Sequence, residues 1–319
     1  MASPEVEGEL HGELRDELVR ELRELPDLGD GDLRFTALSG GITNRNFLVD
    51  GAPGGARFVV RLPGNATHLL GISRDVEHAA TVAAATLGVG PEVVAYLPRK
   101  GYLVTRFIKG RQIPEREMHQ PQRLRAVGAT LRRIHDGPSV PGLFEPFRIV
   151  EAYRAVALSR GVAIPPEYDL AQSIARQIEL ACLAAPVELR PCHNDLLNAN
   201  FIDDGSRIRI VDWEYAGMGD PFFDLGNFSI NHELDPEQDA LLLGAYLGDE
   251  VEARRELAAR LTLMRVMSDF REAMWGVLQQ GISTLEVDFR AYAAEHFDRL
   301  LAAAAQPAFD RALTEAAGG

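Results

Sequence analysis

Hydrophobic patterning divides the chain into a strand-rich first third and a helix-rich remainder. Short apolar runs bounded by Gly, Pro and Asp predict strands at 34–38, 46–50, 56–62, 92–96 and 102–108. Apolar residues at helical spacing predict helices at 9–25, 73–87, 121–135, 148–159, 170–184, 237–247, 250–280 and 285–304. We therefore expect an α+β fold with a β-rich N-terminal lobe (1–108), a mostly helical C-terminal lobe (109–319) and a ligand cleft between them.

The first predicted helix, 9–25, is amphipathic. Its leucines recur at helical spacing among charged residues, at positions 10, 14, 18, 22 and 25. We expect this leucine face to pack on the body of the protein. The pattern does not decide whether that body belongs to the same subunit or to a partner.

The segment 191–201 carries the strongest candidate chemistry. It contains His193, Asp195 and Asn200 in the spacing His-x-Asp-x-x-x-x-Asn, and Asp212 follows an apolar strand that ends at Val211. In kinase catalytic loops an Asp of this spacing faces the acceptor hydroxyl and the Asn holds a metal. Asp195 is therefore the candidate base, Asn200 and Asp212 are the candidate Mg²⁺ ligands, and His193 is expected to brace the loop. The alternative is that these polar residues form an ordinary turn.

A Gly-Gly turn between the first two predicted strands is a candidate phosphate-binding loop. Its backbone N–H groups and polar side chains could approach nucleotide phosphates, and the residues concerned are Ser39, Gly40, Gly41, Thr43 and Asn44. The turn lacks the Gly-Lys-Ser/Thr ending of a Walker loop. A plain hairpin is the alternative interpretation.

The third predicted strand carries Arg61 at the place where protein kinases use a phosphate-binding lysine. A guanidinium can match phosphate oxygens in a bidentate manner. Glu77, in the first turn of the next helix, is the carboxylate that we expect to pair with Arg61. The alternatives are a solvated edge-strand arginine and a glutamate that only complements the helix dipole.

Composition and charge exclude several classes of protein. The chain is 46% hydrophobic and 25% charged, with a net charge of −14, which argues against general nucleic-acid binding and fits a small cationic substrate. It has no apolar run of about 18 residues, so no membrane span is expected. With no apolar signal core at the N-terminus and two cysteines in different predicted elements, we expect a cytoplasmic protein with reduced thiols.

These motifs resemble those of the choline/ethanolamine kinases, within the aminoglycoside-phosphotransferase and protein-kinase-like superfamily. The similarity extends from about residue 38 to 300 and includes 39–44, 59–64, 193–200, 212–215 and 224–227. The resemblance implies a bilobal protein-kinase-like fold that uses ATP and Mg²⁺. It implies that Asp195 is the base, that Asn200 and Asp212 bind the metal, and that Arg61 and Glu77 orient the phosphates.

The late segment 274–283, followed by 289–293, is similar to the stretch that forms the choline pocket in this family. The resemblance implies a substrate-binding set formed by Tyr215, Glu214, Trp275, Glu272 and Tyr292. Aromatic faces hold a quaternary ammonium by cation–π attraction, whereas a primary ammonium prefers carboxylates. The alternative for Trp275 is helix core.

Glu272 stands where eukaryotic choline kinases carry a second tryptophan, and Asn231 stands where they carry an acidic residue. A pocket with fewer aromatic residues and with a carboxylate would favour ethanolamine or another amino alcohol as the acceptor.

The sequence therefore predicts a kinase that phosphorylates the hydroxyl of a cationic amino alcohol, with choline or ethanolamine as the expected acceptor. An aminoglycoside or thiamine kinase is the alternative within the superfamily. A catalytically silent ATP-binding regulatory module is the alternative of another class. The sequence does not determine the acceptor, the pathway, the oligomeric state or whether Glu272 lines the pocket.

Overall fold

The computed structural model describes residues 10, 12–28, 32–38, 43–248 and 255–318. The predicted loop residues Ser39, Gly40 and Gly41 lie outside the described residues, as do Glu9 and the start of the predicted helix 250–280. The strands are β1 (Arg34–Leu38), β2 (Asn44–Asp50), β3 (Phe58–Pro63), β4 (Val93–Leu97), β5 (Tyr102–Arg106), β6 (Arg111–Gln112), β7 (Arg190–Cys192), β8 (Phe201–Asp203), β9 (Ile208–Ile210) and β10 (Gly217–Gly219).

Two helices lie within the strand-rich first part of the chain, and the others begin at residue 115, with β7 to β10 lying between the sixth helix and the seventh. They are α1 (Glu13–Arg23), α2 (Arg74–Thr86), α3 (Glu115–Met118), α4 (Pro121–His135), α5 (Pro146–Ser159), α6 (Glu167–Ala184), α7 (Pro221–Asn231), α8 (Pro236–Leu247), α9 (Arg255–Ile282), α10 (Phe289–Ala304) and α11 (Pro307–Ala316).

The N-terminal region is an antiparallel sheet in the order β1-β2-β3-β5-β4. The register places Arg61 of β3 between Asn46 of β2 and Leu103 of β5. Leu18 and Leu22 of α1 are buried in the same apolar cluster as Phe47 and Phe58 of the sheet. The leucine face of the first helix therefore packs on the body of the protein, as the periodicity predicted, and that body is the sheet of its own chain, which the sequence left open.

The helical region is arranged around α9, which contacts α5, α6, α7, α10 and α11. The approach of α7 to α9 requires a glycine at position 226. A Cβ there would lie 2.6 Å from the carbonyl carbon of Met264. The close packing of these two helices fixes the side chains of α7 relative to those of α9.

Small strand pairs carry the segments that hold the candidate chemistry. β7 pairs with β10, and β8 lies between β6 and β9. The loop that contains Asp195 runs from β7 to β8, and Asp212 follows β9. The α+β class with an N-terminal antiparallel sheet and a mostly helical remainder is thus confirmed. The domain boundary near residue 108 stays a prediction.

The sequence missed the shortest elements. β6, β7, β8 and β10 have two or three residues, too few to show a periodicity. Helix α11 at the C-terminus was also missed. Among the described residues we find no helix with the length and apolar character needed to cross a bilayer.

Candidate active site

Two polar residues of α7 hold the loop that contains Asp195. The carboxylate of Asp224 accepts the backbone N–H groups of His193 (2.8 Å) and Asn194 (2.6 Å), and Oδ1 of Asn227 accepts that of Leu196 (2.6 Å). Burial alone would raise the pKa of Asp224, but the hydrogen bond from His135 and these backbone donors lower it. The loop backbone is therefore anchored to a charged side chain in the protein interior.

His193 is fully occupied by backbone partners. Its Nε2 donates to the carbonyl of Val211 at 2.9 Å, and its Nδ1 accepts the backbone N–H of Asp195 at 3.2 Å. This assignment of the tautomer follows from the two partners. Burial lowers the pKa of the imidazole, so the ring is neutral near pH 7. The side chain joins the loop to the strand segment before Asp212, which agrees with a bracing role.

Asn200 and Asp212 lie together with the loop at one end of the sheet–helix interface. Nδ2 of Asn200 donates to the backbone carbonyl of Asp195 at 2.8 Å, which orients its amide. The backbone N–H of Val211 donates to the carbonyl of Asn200 at 3.0 Å, which brings Asp212 beside it. Asp212 itself has φ of 68°, a left-handed conformation that non-glycine residues rarely adopt.

An amide oxygen and a carboxylate are the oxygen donors that Mg²⁺ prefers. The amide of Asn200 uses its nitrogen for the loop, so its oxygen is the atom available for a metal. The donor set therefore fits the ion that the sequence predicted.

Arg61 connects the sheet to these residues. Its Nη2 lies 2.8 Å from Oδ1 of Asp212, and its Nη1 pairs with Glu77. Burial alone would lower the pKa of Arg61. The negative charges of Asp212 and Glu77 raise it by more, so the net shift of the pKa is upward. The predicted pairing of Arg61 with Glu77 is confirmed, and a solvated edge-strand arginine is excluded because Arg61 is 9% exposed. Their predicted contacts with nucleotide phosphates stay a prediction.

Glu214 joins the start of β2 to the segment after β9. Its carboxylate accepts hydrogen bonds from Thr43 Oγ1 and from Asn44 Nδ2, the latter at 2.7 Å. Arg74 of α2 lies 3.3 Å from the same carboxylate and donates to Oδ1 of Asn44 at 2.8 Å. Burial is the largest of the effects that raise the pKa of Glu214. In this structure Glu214, Thr43 and Asn44 bind one another, and their predicted contacts with substrate and nucleotide remain untested.

A cavity of about 330 Å³ lies between the sheet and the helical region. Its apolar lining comes from both sides and includes Leu38, Val59, Leu103, Phe107, Ile108, Ile202 and Val211. Arg61, Asn200 and Asp212 lie at the same cavity. An apolar cavity with a cation and oxygen ligands in its wall has the chemistry of a nucleotide site, with a base-binding part and a phosphate-binding part.

The predicted substrate-binding residues from α9 and α10 form one cluster with Tyr215, in which Tyr292 is half-buried and the others are buried. Trp275 Nε1 donates to the Tyr215 hydroxyl at 3.1 Å, and the rings of Trp275 and Tyr292 meet edge to face at 5.6 Å. The Tyr292 hydroxyl donates to Oε2 of Glu272 at 2.7 Å. The structure therefore brings Glu272 into the aromatic cluster.

Asp195 lies beside this cluster. Nη1 of Arg271 is 3.5 Å from Oδ1 of Asp195, and the same Nη1 donates to Glu272. Burial raises the pKa of Asp195; Arg271 opposes that shift, whereas nearby carboxylates such as Glu272 add to it. A carboxylate with a raised pKa is a stronger proton acceptor than an exposed aspartate.

Three residues of the site were not predicted from sequence. Arg74 and Arg271 carry no spacing signal, and Arg271 lies in a helix whose neighbouring residues are all buried. Asp224 was noted only as part of a motif, although an aspartate among the apolar residues Phe222, Phe223 and Leu225 could have marked it as a buried acceptor.

An antiparallel sheet, a helical region and, between them, an apolar cavity with a cation and oxygen ligands in its wall define the class of protein-kinase-like phosphotransferases. The profile of the phosphotransferase enzyme family matches residues 34–259, and the chain belongs to that family.

Proteins similar to this chain include members of the choline and ethanolamine kinase branch of the family. A choline/ethanolamine kinase family protein from Mesorhizobium loti has 33% identity and a TM-score of 0.81, covering 96% of this chain and 100% of that chain. Ethanolamine kinase 2 of Rattus norvegicus is 29% identical, over 91% of this chain and 80% of that protein. LicA of Haemophilus influenzae is 27% identical over 65% of this chain, and the match spans 61% of its length.

Proposed function

We propose that this protein is an ATP-dependent, Mg²⁺-assisted kinase that phosphorylates the hydroxyl of a small amino alcohol, with choline and ethanolamine as the reference acceptors. One observation carries the proposal. The cavity between sheet and helices has Arg61, Asn200 and Asp212 in its wall, and Asn200 in turn bonds the loop carrying Asp195. The names of the relatives, which are kinases of choline and ethanolamine, support the acceptor class.

The transfer needs an acceptor base and a neutralised phosphate chain. Asp195 accepts the proton of the acceptor hydroxyl as the hydroxyl oxygen forms a bond to the γ-phosphorus of ATP. The bond between that phosphorus and the β–γ bridging oxygen breaks, and ADP leaves. The raised pKa of Asp195 suits this proton transfer.

Charge on the phosphates is balanced by groups in the wall of the cavity. Arg61 provides a fixed guanidinium whose orientation Glu77 and Asp212 determine. Asn200 and Asp212 would hold Mg²⁺, which when bound supplies positive charge to the phosphate oxygens during transfer. The apolar part of the cavity accommodates the adenine ring.

The acceptor binds between Asp195 and the cluster of Tyr215, Glu272, Trp275 and Tyr292. Aromatic rings attract any ammonium group, by about 0.5–2 kcal/mol each. Glu272 adds a carboxylate that accepts N–H hydrogen bonds, which only an ammonium with hydrogens can donate. The protein therefore favours ethanolamine over choline.

The test is coupled ATP turnover with Mg²⁺ against choline, ethanolamine, thiamine and kanamycin, for the wild type and for Asp195→Ala. We expect turnover of ethanolamine and choline, and a loss of kcat of about 10²–10⁴-fold in the variant with ADP binding retained. Selective turnover of kanamycin or thiamine would contradict the acceptor class. Near-normal turnover by Asp195→Ala would contradict the role of the base.

A further inference from the structure

Arg271 is a buried arginine that the mechanism above does not use. The residue is 1% exposed, and its guanidinium lies over the ring of Tyr215, with Cζ 4.3 Å from the ring centroid. Its Nη1 donates to Glu272 and approaches Asp195. Arg271 thus covers one face of Tyr215, an aromatic residue that the resemblance assigned to substrate binding.

The other two nitrogens of Arg271 are unmatched. Nε and Nη2 are buried and donate no hydrogen bond within the part of the chain that the structure describes. Buried donors without partners are rare in proteins, because each one costs the free energy of its lost hydration. These two nitrogens form the edge of the guanidinium that binds a carboxylate through two parallel N–H···O bonds.

A second buried arginine of α9 shows what a structural role looks like. Arg260 donates from Nε to Asp220 at 2.8 Å and from Nη1 to the carbonyl of Ala185 at 2.9 Å, and its Nη2 lies 2.5 Å from the same Asp220. All three nitrogens of Arg260 therefore have partners. Arg271 differs because its bidentate edge faces no acceptor among the described residues.

Charge balance indicates what the edge binds. Arg271 and Glu272 are a pair of opposite charge, and both belong to the cluster that surrounds the acceptor. A cationic acceptor would place a second positive group beside Arg271 and leave the edge unmatched. A zwitterion matches the pair on both sides, with its ammonium on Glu272 and its acidic group on Arg271.

Resting on the function proposed above, we infer that the preferred acceptor is a hydroxylated zwitterion, an amino alcohol that also carries a carboxylate, and that Arg271 recognises the carboxylate. Asp195 then remains available for the hydroxyl. Glu272 can still accept an ammonium proton, because a carboxylate has about four lone-pair sites and only two are taken by Arg271 and Tyr292.

Acceptors with and without a carboxylate measure the contribution of that group to recognition. Serine is ethanolamine with a carboxylate on the carbon that bears the amine, and homoserine adds one carbon. We would measure kcat/KM for the three under saturating ATP and Mg²⁺ with the wild type, Arg271→Met, Arg271→Lys and the control Arg265→Met. Arg265 is on the same helix but pairs with Asp239, away from the acceptor cluster.

We expect the wild type to prefer a carboxylated acceptor over ethanolamine by at least about tenfold. Arg271→Met should lose about 10- to 100-fold on that acceptor, the range for hydrogen bonds to charged groups, with a smaller change on ethanolamine. Arg271→Lys should restore part of the loss because it keeps the charge without the bidentate edge, and Arg265→Met should keep the wild-type preference.

Other outcomes would overturn the inference or the function separately. Wild-type turnover of ethanolamine with none of serine or homoserine would overturn the carboxylate assignment and leave the kinase assignment intact. The same holds if Arg271→Met keeps the wild-type preference. Should no acceptor be phosphorylated, the proposed function fails, and calorimetric binding of serine and homoserine to wild type and Arg271→Lys then decides the carboxylate site alone.

Discussion

The side chain of Asn44 donates a 2.7 Å hydrogen bond to the carboxylate of Glu214. The two residues are 170 positions apart in the chain. Asn44 begins β2 of the sheet, and Glu214 follows Asp212 on the helical side of the cavity. Because Thr43 and Arg74 bind the same carboxylate, this contact fixes the sheet relative to the segment carrying the candidate metal ligand.

Glu214→Gln tests that connection. The amide cannot accept from Thr43, Asn44 and Arg74 at once, since one of its two polar atoms is a donor. We expect KM for ATP to rise about 10-fold, with a loss of roughly 1–3 kcal/mol of unfolding free energy, measured by steady-state kinetics and denaturant melts. Glu117→Gln, which breaks the exposed pair with Arg111, is the control. An unchanged KM for ATP would show that the contact does not shape the nucleotide site.

Asp224→Asn tests the anchoring of the catalytic loop. Both carboxylate oxygens of Asp224 accept hydrogen bonds, and the donors are the backbone N–H groups of His193 and Asn194 and Nε2 of His135. The NH₂ group of the asparagine must therefore face a donor in either orientation of the amide. We expect a loss of about 2–4 kcal/mol of unfolding free energy and at least a tenfold lower kcat.

The isosteric control for Asp224→Asn is Asp235→Asn. Asp235 caps α8, and asparagine caps a helix about as well as aspartate. Equal effects of the two substitutions on kcat would contradict the anchoring role of Asp224.

Glu272→Gln tests the selection of the amine. Removing the carboxylate charge weakens the binding of an ammonium that donates N–H hydrogen bonds more than that of a quaternary ammonium, which has none to donate. We expect the ratio of kcat/KM for ethanolamine to that for choline to fall by at least about tenfold. Tyr168→Phe is the control, since its hydroxyl donates to Gln172 outside this cluster. A constant ratio would assign the selection to the aromatic residues instead.

His232 should make stability depend on pH. Burial lowers its folded-state pKa to about 4, from 6.5 in an unfolded chain. Between these values the unfolded chain binds a proton that the folded protein does not. The contribution of neutral His232 to the free energy of unfolding is therefore fully present above about pH 6.5. It is lost as the pH falls towards 4, by up to about 3 kcal/mol.

His232→Asn checks this dependence by denaturant melts at several pH values between 4 and 7. The amide retains a donor for the carbonyl of Phe228, which Nδ1 of His232 contacts at 2.8 Å. The variant should be less stable above pH 7 and show a smaller loss on acidification. Parallel pH profiles for the two proteins would assign the proton uptake to other groups.

Local patterns in the sequence determined which segments are helices or strands and which residues could carry the chemistry. Apolar spacing was sufficient for the sheet strands and for the long helices, because each has enough residues to display a period. The spacing of His193, Asp195 and Asn200 was sufficient to nominate the loop, because phosphoryl transfer places a base and a metal ligand at a fixed separation on one loop. The position of Arg61 in the third predicted strand, where protein kinases use a lysine, was sufficient to nominate it as a phosphate-binding cation.

Only the tertiary structure decided which side chains meet. Arg271 and Glu272 are neighbours in sequence, yet their pairing over Tyr215 depends on the packing of α9 against the segment after β9. The resemblance assigned Glu214 to the substrate, and only the fold shows that its carboxylate lies against β2 and α2. Periodicity states which face of an element is buried, whereas the partner of a buried charge depends on contacts between distant parts of the chain, which no local pattern records.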